Sequence, residues 1–359
     1  MRVGIGRLAG LPHRRARPPL GRGRYDARMA GPDPIPTLPA QLRERLAGTR
    51  GLLLDLDGVL MLRGEAIPGA VDAMERLARS AIPYRILTNA SLESRRTLSM
   101  RVEILGFRIA PDHIVSALSA TAAHTRRAFG GRPIYVLAAP DARREFTGQW
   151  LVSHAEADRP GMAVDAVVVG DSPEELTYAN VNRAFRFLRD GAALIAVHRN
   201  PWWATAAGPT IDAGLYVVGL EYASGTTATV LGKPSPAFFA EAASQVAAEA
   251  AAAMDPSADG SRAAPDPADP APDPAAPDPA APDPAAPDPT AGLVMVGDDL
   301  VTDIAGGLRA GLRAVLVLTG RSSLEDVERA ARGEPPASGA SIVPTAVAPS
   351  IAAVVDALG

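Results

Sequence analysis

Two aspartates, Asp55 and Asp57, follow the apolar run Leu52-Leu53-Leu54. At the carboxyl end of a buried strand both would project into the crevice where open α/β sheets bind ligands. Gly58 lets the chain turn sharply beside them. Thr88-Asn89-Ala90-Ser91 ends the apolar stretch from Tyr84 and precedes a helical pattern. A hydroxyl, an amide and free N–H groups at a helix start suit an anion such as phosphate. Gly297-Asp298-Asp299-Leu300-Val301-Thr302-Asp303 follows a third apolar run. Its hard oxygen ligands suit Mg²⁺, which takes one or two carboxylates plus substrate oxygen and water. Each group taken singly also has a plain structural reading, as a loop cap, a helix N-cap or a surface acidic loop.

Of the 36 basic residues, 35 are Arg and one is Lys, Lys233 in Leu231-Gly232-Lys233-Pro234-Ser235. So strong a bias toward Arg reflects base composition, which makes the retained ammonium conspicuous. A compact point charge is not interchangeable with a planar fork. Held by Gly and Pro before the next helix, it can neutralise charge on a transferring phosphoryl group.

The elements that position these residues follow from periodicity. The spacing predicts strands at 52–54, 84–88, 166–169, 194–197, 293–296 and 314–318. Helices are predicted over 40–46, 70–81, 92–105 (capped by Ser91), 178–188, 236–250 and 304–310. This alternation implies α/β architecture with mostly parallel sheets covered by helices on both faces.

Two segments fall outside the pattern. Residues 1–28 carry eight Arg against one Asp without periodicity, and Met29 is an alternative start. Residues 255–291 repeat Pro-Asp-Pro-Ala-Ala from Pro272, Pro277 and Pro282. Each Pro removes a donor and fixes φ, so an extended acidic loop is expected there.

The chain has 359 residues, no Cys, five His and a net charge of −4. The absence of Cys excludes disulfide scaffolds, Cys-based zinc sites and Cys nucleophiles. The charge argues against a nucleic-acid partner, and no apolar run has the roughly 18 to 20 residues that a membrane span requires. A cytoplasmic protein is expected.

In order, the four motifs resemble those of the haloacid dehalogenase-like hydrolases. The resemblance points to subfamily IIA, with a large C2-type cap between the second and third motifs. This is the branch of the phospholysine phosphohistidine inorganic pyrophosphate phosphatases and related HAD-like hydrolase domain-containing proteins. Residues 231–239 (LGKPSPAFF), Glu221-Tyr222-Ala223, Val296-Gly297-Asp298-Asp299 and 178–185 (YANVNRAF) carry the likeness.

The resemblance implies a Rossmann-like core in three parts (47–115, 226–254 and 292–359) with a cap inserted over 116–225. A disordered tail (1–46) and the Pro/Asp/Ala-rich insertion (255–291) complete the expected organisation. It further implies that Asp55 is the nucleophile and a Mg²⁺ ligand, and that Asp57 is the general acid/base whose backbone carbonyl also binds the metal. Asp298 completes the metal ligands, and Thr88, Asn89 and Lys233 hold the phosphoryl group. Asp303 and Asp299 support the metal waters or orient Lys233.

Asp171, His198, Arg199, Asn200, Trp202, Trp203 and Asp212 are the cap's candidate contributors. Trp202-Trp203 read more readily as packing or a subunit contact, and His198 as structural. The other four histidines lack metal-ligand spacing. Many relatives have Asn where Ala90 stands, and some of the nearest branch have Ser in place of Asp57.

The expected activity is Mg²⁺-dependent hydrolysis of a small phosphorylated metabolite through an aspartyl-phosphate, with a homodimer through the cap. Phosphoramidate or pyrophosphate hydrolysis and phosphotransfer are the alternatives among enzymes. Outside enzymes stand a phospho-accepting regulatory module and an idle scaffold binding partners through its Pro-rich loop.

Overall fold

The computed structural model describes residues 39–205, 208–254, 288–334 and 342–359. The expected tail lies outside them except for 39–46, as does the insertion except for 288–291. Residues 39–46 are not tail: Pro39–Leu46 forms helix α1, with Leu42 and Leu46 buried in the core.

From there the chain runs through β1 (Gly51–Asp55), the hairpin β2 (Met61–Leu62) and β3 (Glu65–Ala66), α2 (Ala70–Arg79) and β4 (Tyr84–Thr88). It continues through α3 (Arg95–Ile104), β5 (Ile114–Ser116) and α4 (Ala117–Phe129). An inserted stretch follows with β6 (Ile134–Leu137), α5 (His154–Ala157), β7 (Ala166–Val169), α6 (Tyr178–Arg189) and β8 (Ala193–Ala196). The stretch ends with β9 (Trp202–Thr205), β10 (Gly208–Ile211), α7 (Gly214–Ser224) and β11 (Thr229–Val230). Helix α8 (Pro236–Met254), β12 (Leu293–Gly297), α9 (Ala305–Arg309) and β13 (Arg313–Val317) come next. Helix α10 (Leu324–Ala331), β14 (Ala346–Ala348) and α11 (Ile351–Leu358) finish the fold.

Six parallel strands form the larger sheet in the order β14-β13-β12-β1-β4-β5. Alternation along each strand sends neighbouring side chains to opposite faces. Leu52, Leu54, Val294 and Val296 join one core cluster with buried residues of α1, α2 and α11. The other face lies on α8 and α9, where Gly51 meets Val246 and Gly307 meets Met295. The chain winds outward from β1 to β4 and β5, then returns to place β12 on the opposite side of β1. That reversal is the topological switch point of an open α/β sheet, where ligands bind at the strand carboxyl ends. Asp55 ends β1 and Asp298 follows β12, so both stand there.

A second parallel sheet has the order β11-β8-β7-β6. Strand β11 pairs with β8, so this sheet runs past residue 225, where the sequence reading ends the inserted unit. A two-residue strand is too short to leave a periodic signal.

Helix α3 starts at Arg95, not Leu92, and its N-cap is Ser94, not Ser91. Asp141 Oδ2 accepts from the Ser94 N–H at 2.8 Å, and Glu145 Oε1 from the Arg95 N–H at 2.7 Å. Carboxylates of the inserted unit therefore occupy the helix start at which the sequence suggested phosphate. No helix among the described residues is long and apolar enough to cross a membrane.

Candidate active site

Four loops converge at the carboxyl ends of β1, β4 and β12. Asp55 is buried, and its Oδ1 lies 2.5 Å from Lys233 Nζ. Lys233 Nζ also stands 2.8 Å from Asp303 Oδ1. That oxygen is buried, and the ammonium is the cation it faces. One carboxylate oxygen from each of Asp55, Asp298 and Asp303 lies within 4.8 Å of the others. Asp303, expected only as a support, is thus as central as the other two.

The loop after β12 explains this. The Ile304 N–H reaches back five residues to the Asp299 carbonyl at 3.1 Å, a π-turn that swings Asp303 inward. Gly297 makes room, since a Cβ there would lie 2.2 Å from that of Asp303. Asp303 Oδ2 then accepts from the N–H groups of Asp298 (3.3 Å) and Asp299 (3.2 Å).

Three buried carboxylates face one ammonium, and the electrostatics register the imbalance. Burial, and then Asp303, raise the Asp55 carboxyl well above its ordinary range against the pull of Lys233. Asp298 is pushed up to about 6, again by burial first and Asp303 second. Burial alone would lower the Lys233 pKa, but Asp303 and Asp55 together outweigh it and raise it. Excess negative charge on hard oxygen donors is what a divalent cation relieves, so the residues fit such an ion.

Asp57 opens to solvent while protein surrounds it. That desolvation raises its carboxyl, with Arg101 and Lys233 opposing. A carboxyl shifted upward is a better proton donor than one in the ordinary range.

The remaining expected site residues divide. Thr88 is buried at the end of β4, and its hydroxyl accepts the Ala90 N–H at 3.1 Å. The Asn89 side chain is engaged with the Lys233 backbone: its Oδ1 accepts from the Lys233 N–H at 2.8 Å and one hydrogen of its Nδ2 goes to the Lys233 carbonyl at 3.0 Å. Asp299 is likewise committed elsewhere. Its Oδ1 caps the following turn through the N–H groups of Val301 (2.7 Å) and Thr302 (2.9 Å), and its Oδ2 pairs with Arg321 at 3.1 Å.

In the inserted unit, His198 is buried with Nε2 2.9 Å from Ser91 Oγ and 3.6 Å from Asp212 Oδ1. The Asn200 N–H donates to His198 Nδ1 at 3.4 Å, which leaves the proton on Nε2. Burial lowers the His198 pKa, with Asp212 opposing. Asp171 is raised to about 6 by burial and then by Asp212 and Glu174. Arg199 instead pairs with Glu221 at 2.6 Å. Trp202 and Trp203 lie exposed on the β9–β10 ladder opposite Ile211 and Thr210.

The loop after β13 was missed in the sequence. The Thr319 hydroxyl donates to the Gly58 carbonyl at 2.5 Å, and the Arg321 N–H to Asp298 Oδ2 at 2.7 Å. A Cβ on Gly320 would lie 1.9 Å from that same oxygen. The available signal was Thr-Gly directly after a buried strand.

The parallel sheet, its switch point and the gathered acids with one lysine define a hydrolase of the haloacid dehalogenase-like class. Residues 52–149 match the family model described as haloacid dehalogenase-like hydrolase, and residues 230–354 a second described as HAD-hydrolase-like. Over 284 residues the chain is 33% identical to phospholysine phosphohistidine inorganic pyrophosphate phosphatase of Homo sapiens, covering 77% of this chain and 86% of that protein. Over 280 residues it is 32% identical to haloacid dehalogenase-like hydrolase domain-containing protein 2 of Bos taurus, covering 78% and 88%. The chain belongs to the haloacid dehalogenase-like hydrolases.

Among solved structures, p-nitrophenyl phosphatase from Archaeoglobus fulgidus shares the fold with a TM-score of 0.67 at 22% identity, covering 86% of this chain and 99% of that one. Glycerol phosphate phosphatase from Mycobacterium tuberculosis, solved in complex with calcium, gives 0.64 at 24%, covering 86% and 76%.

Proposed function

We propose that this chain is a Mg²⁺-dependent phosphatase of small phosphorylated metabolites, working through an aspartyl-phosphate on Asp55. The observation that carries the reading is the placement of Asp55. Its carboxylate lies 2.5 Å from the sole lysine and within 4.8 Å of two further buried carboxylates, at the switch point of the sheet. An Asp55 oxygen attacks phosphorus as the bond to the leaving oxygen breaks, and Asp57 gives that oxygen a proton. Water then attacks the same phosphorus, Asp57 takes its proton, and phosphate leaves with Asp55 regenerated.

Lys233 holds positive charge against Asp55 throughout, which offsets the repulsion between a carboxylate and an anionic ester. Asp55, Asp298 and the Asp57 backbone carbonyl would hold Mg²⁺, which supplies further neutralisation at the phosphoryl oxygens when bound. The inserted unit acts as the cap, excluding water and choosing the substrate. Retention of an acid at Asp57 favours phosphomonoesters. The likeness to a phosphatase named for phospholysine, phosphohistidine and pyrophosphate supports the alternative of phosphoramidate or pyrophosphate hydrolysis.

The test is a screen of phosphomonoesters, pyrophosphate and phosphoramidates, with Mg²⁺ and with chelator. Metal-dependent phosphate release supports the reading, and none from any of them rejects it.

A homodimer through the cap belongs to the same proposal. Leu215, Val218 and Tyr222 are exposed along one face of α7, and Trp202 and Ile211 of the same unit are exposed as well. Light scattering that gives a monomer mass at micromolar concentration rejects it.

A further inference from the structure

The contact between Asn89 and Lys233 is unusual in form. One side-chain amide pairs with both the N–H and the C=O of a single residue, at 2.8 and 3.0 Å. Two residues exchange the same pair of bonds in an antiparallel ladder. Lys233 is thereby fixed on both sides of its Cα, and with it the direction in which its side chain leaves the backbone. At the far end Nζ meets Asp55 and Asp303. A chain with four rotatable bonds is thus pinned at its root and at its tip.

The location gives the clasp its meaning. Strand β11 ends three residues before Lys233 and pairs with β8 of the smaller sheet, and the Leu231 N–H bonds to the Ala196 carbonyl of that sheet. Three residues after Lys233, α8 begins and packs on the larger sheet. Lys233 therefore stands where the chain crosses from one sheet to the other. Asn89 follows β4 of the larger sheet directly. A Cβ on Gly232 would lie 2.8 Å from Asn89 Oδ1, so the glycine is what admits the amide.

We propose that Asn89 is a positioning residue, which assigns Lys233 to the larger sheet and holds its ammonium in register with Asp55, and that its side chain does not contact the phosphoryl group. The catalytic consequence rests on the phosphatase reading above; the positional consequence does not. A displacement of about 1 Å at a reacting centre can cost about 100-fold in rate.

Because the chain has one lysine, protein grown with ¹³Cε-lysine gives a single lysine signal by NMR. The expected result is that Asn89→Ala, in full-length folded protein, shifts or broadens this signal toward that of free lysine. An unchanged signal overturns the proposal. With 4-nitrophenyl phosphate and Mg²⁺, Asn89→Ala is expected to lower kcat by about 10- to 100-fold with little change in KM. In a Lys233→Ala background the same substitution should then cost nothing further. An equal loss in both backgrounds, or a rise in KM alone, marks direct phosphoryl contact and overturns the proposal. If the unmodified protein turns over none of the substrates screened, the phosphatase reading fails and the NMR result alone decides this one. Should Asn89→Ala not fold, Asn89→Asp keeps the acceptor for the Lys233 N–H, loses the donor, and is read the same way.

Discussion

Gly58 faces Asp298 so closely that a Cβ on the glycine would lie 2.2 Å from the carboxylate Oδ2. Its φ of +88° already excludes most side chains. The loop carrying Asp57 and the loop carrying Asp298 are thus in van der Waals contact, with a glycine as the only residue that fits. Gly58→Ala combines left-handed strain of roughly 1 to 2 kcal/mol with displacement of a proposed metal ligand. The Mg²⁺ concentration for half-maximal activity should rise by about 10- to 100-fold, measured by titrating metal at fixed substrate.

Asp55→Asn removes the nucleophile but keeps its shape. Steady-state turnover should fall by at least about 10³-fold with the circular-dichroism spectrum retained. Appreciable turnover in this variant would remove Asp55 from the role.

Lys233→Arg keeps the charge but replaces a point with a fork. Wedged between Asp55 and Asp303, the guanidinium cannot retain both contacts without moving the carboxylates. The expected loss in kcat/KM is about 10² to 10³-fold, and near-normal kinetics would undo the argument from the solitary ammonium.

Asp298 gives a pH dependence of defined sign. Its folded pKa of about 6 stands above the unfolded value near 3.9. In metal-free protein its ionisation therefore opposes folding, by on the order of 3 kcal/mol above the folded pKa. That cost fades as pH falls through the folded pKa and is gone below the unfolded one. With chelator, Asp298→Asn should melt above the unmodified protein at pH 7.5, and the gap should shrink to about a third by pH 4.5 and close below the unfolded pKa. A gap that widens on acidification would reverse the sign.

Glu145 ties the inserted unit to α3, accepting from the Arg95 N–H at 2.7 Å and pairing with Arg95 Nε at 3.0 Å. Glu145→Ala leaves a helix-start donor without its partner. It should cost about 1 to 2 kcal/mol, read as a lower denaturant midpoint at unchanged slope. Glu145→Gln, which keeps an acceptor, should recover most of it.

What the sequence disclosed and what it hid divide along a physical line. Asp55, Thr88 and Asp298 were legible because a buried strand is a local apolar run and the residue ending or following it is fixed by chain order, whereas Lys233 was legible as the single lysine of the sequence. The same runs disclosed the parallel, helix-covered sheets. The pairing of Asn89 with Lys233 was not legible, since the two lie 144 positions apart. Asp299 looked like one more metal-site acid because a capping carboxylate and a ligating one are the same residue type. The start of α3 was misplaced for a related reason: Asp141 and Glu145 complete its first turn from another element. Gly320 carried no local signal beyond its type, because its necessity arises from the nearness of Asp298.

Strand β12 separates two stretches of chain under different constraints. The chain enters it at Leu293 and leaves it at Gly297, immediately before Asp298. Those five residues span about 16 Å, which sets Leu293 at the opposite end of the strand from the acids. A change of chain length before Leu293 is therefore expected to leave the spacing of the acids unchanged, because a rigid ruler of β-structure holds it.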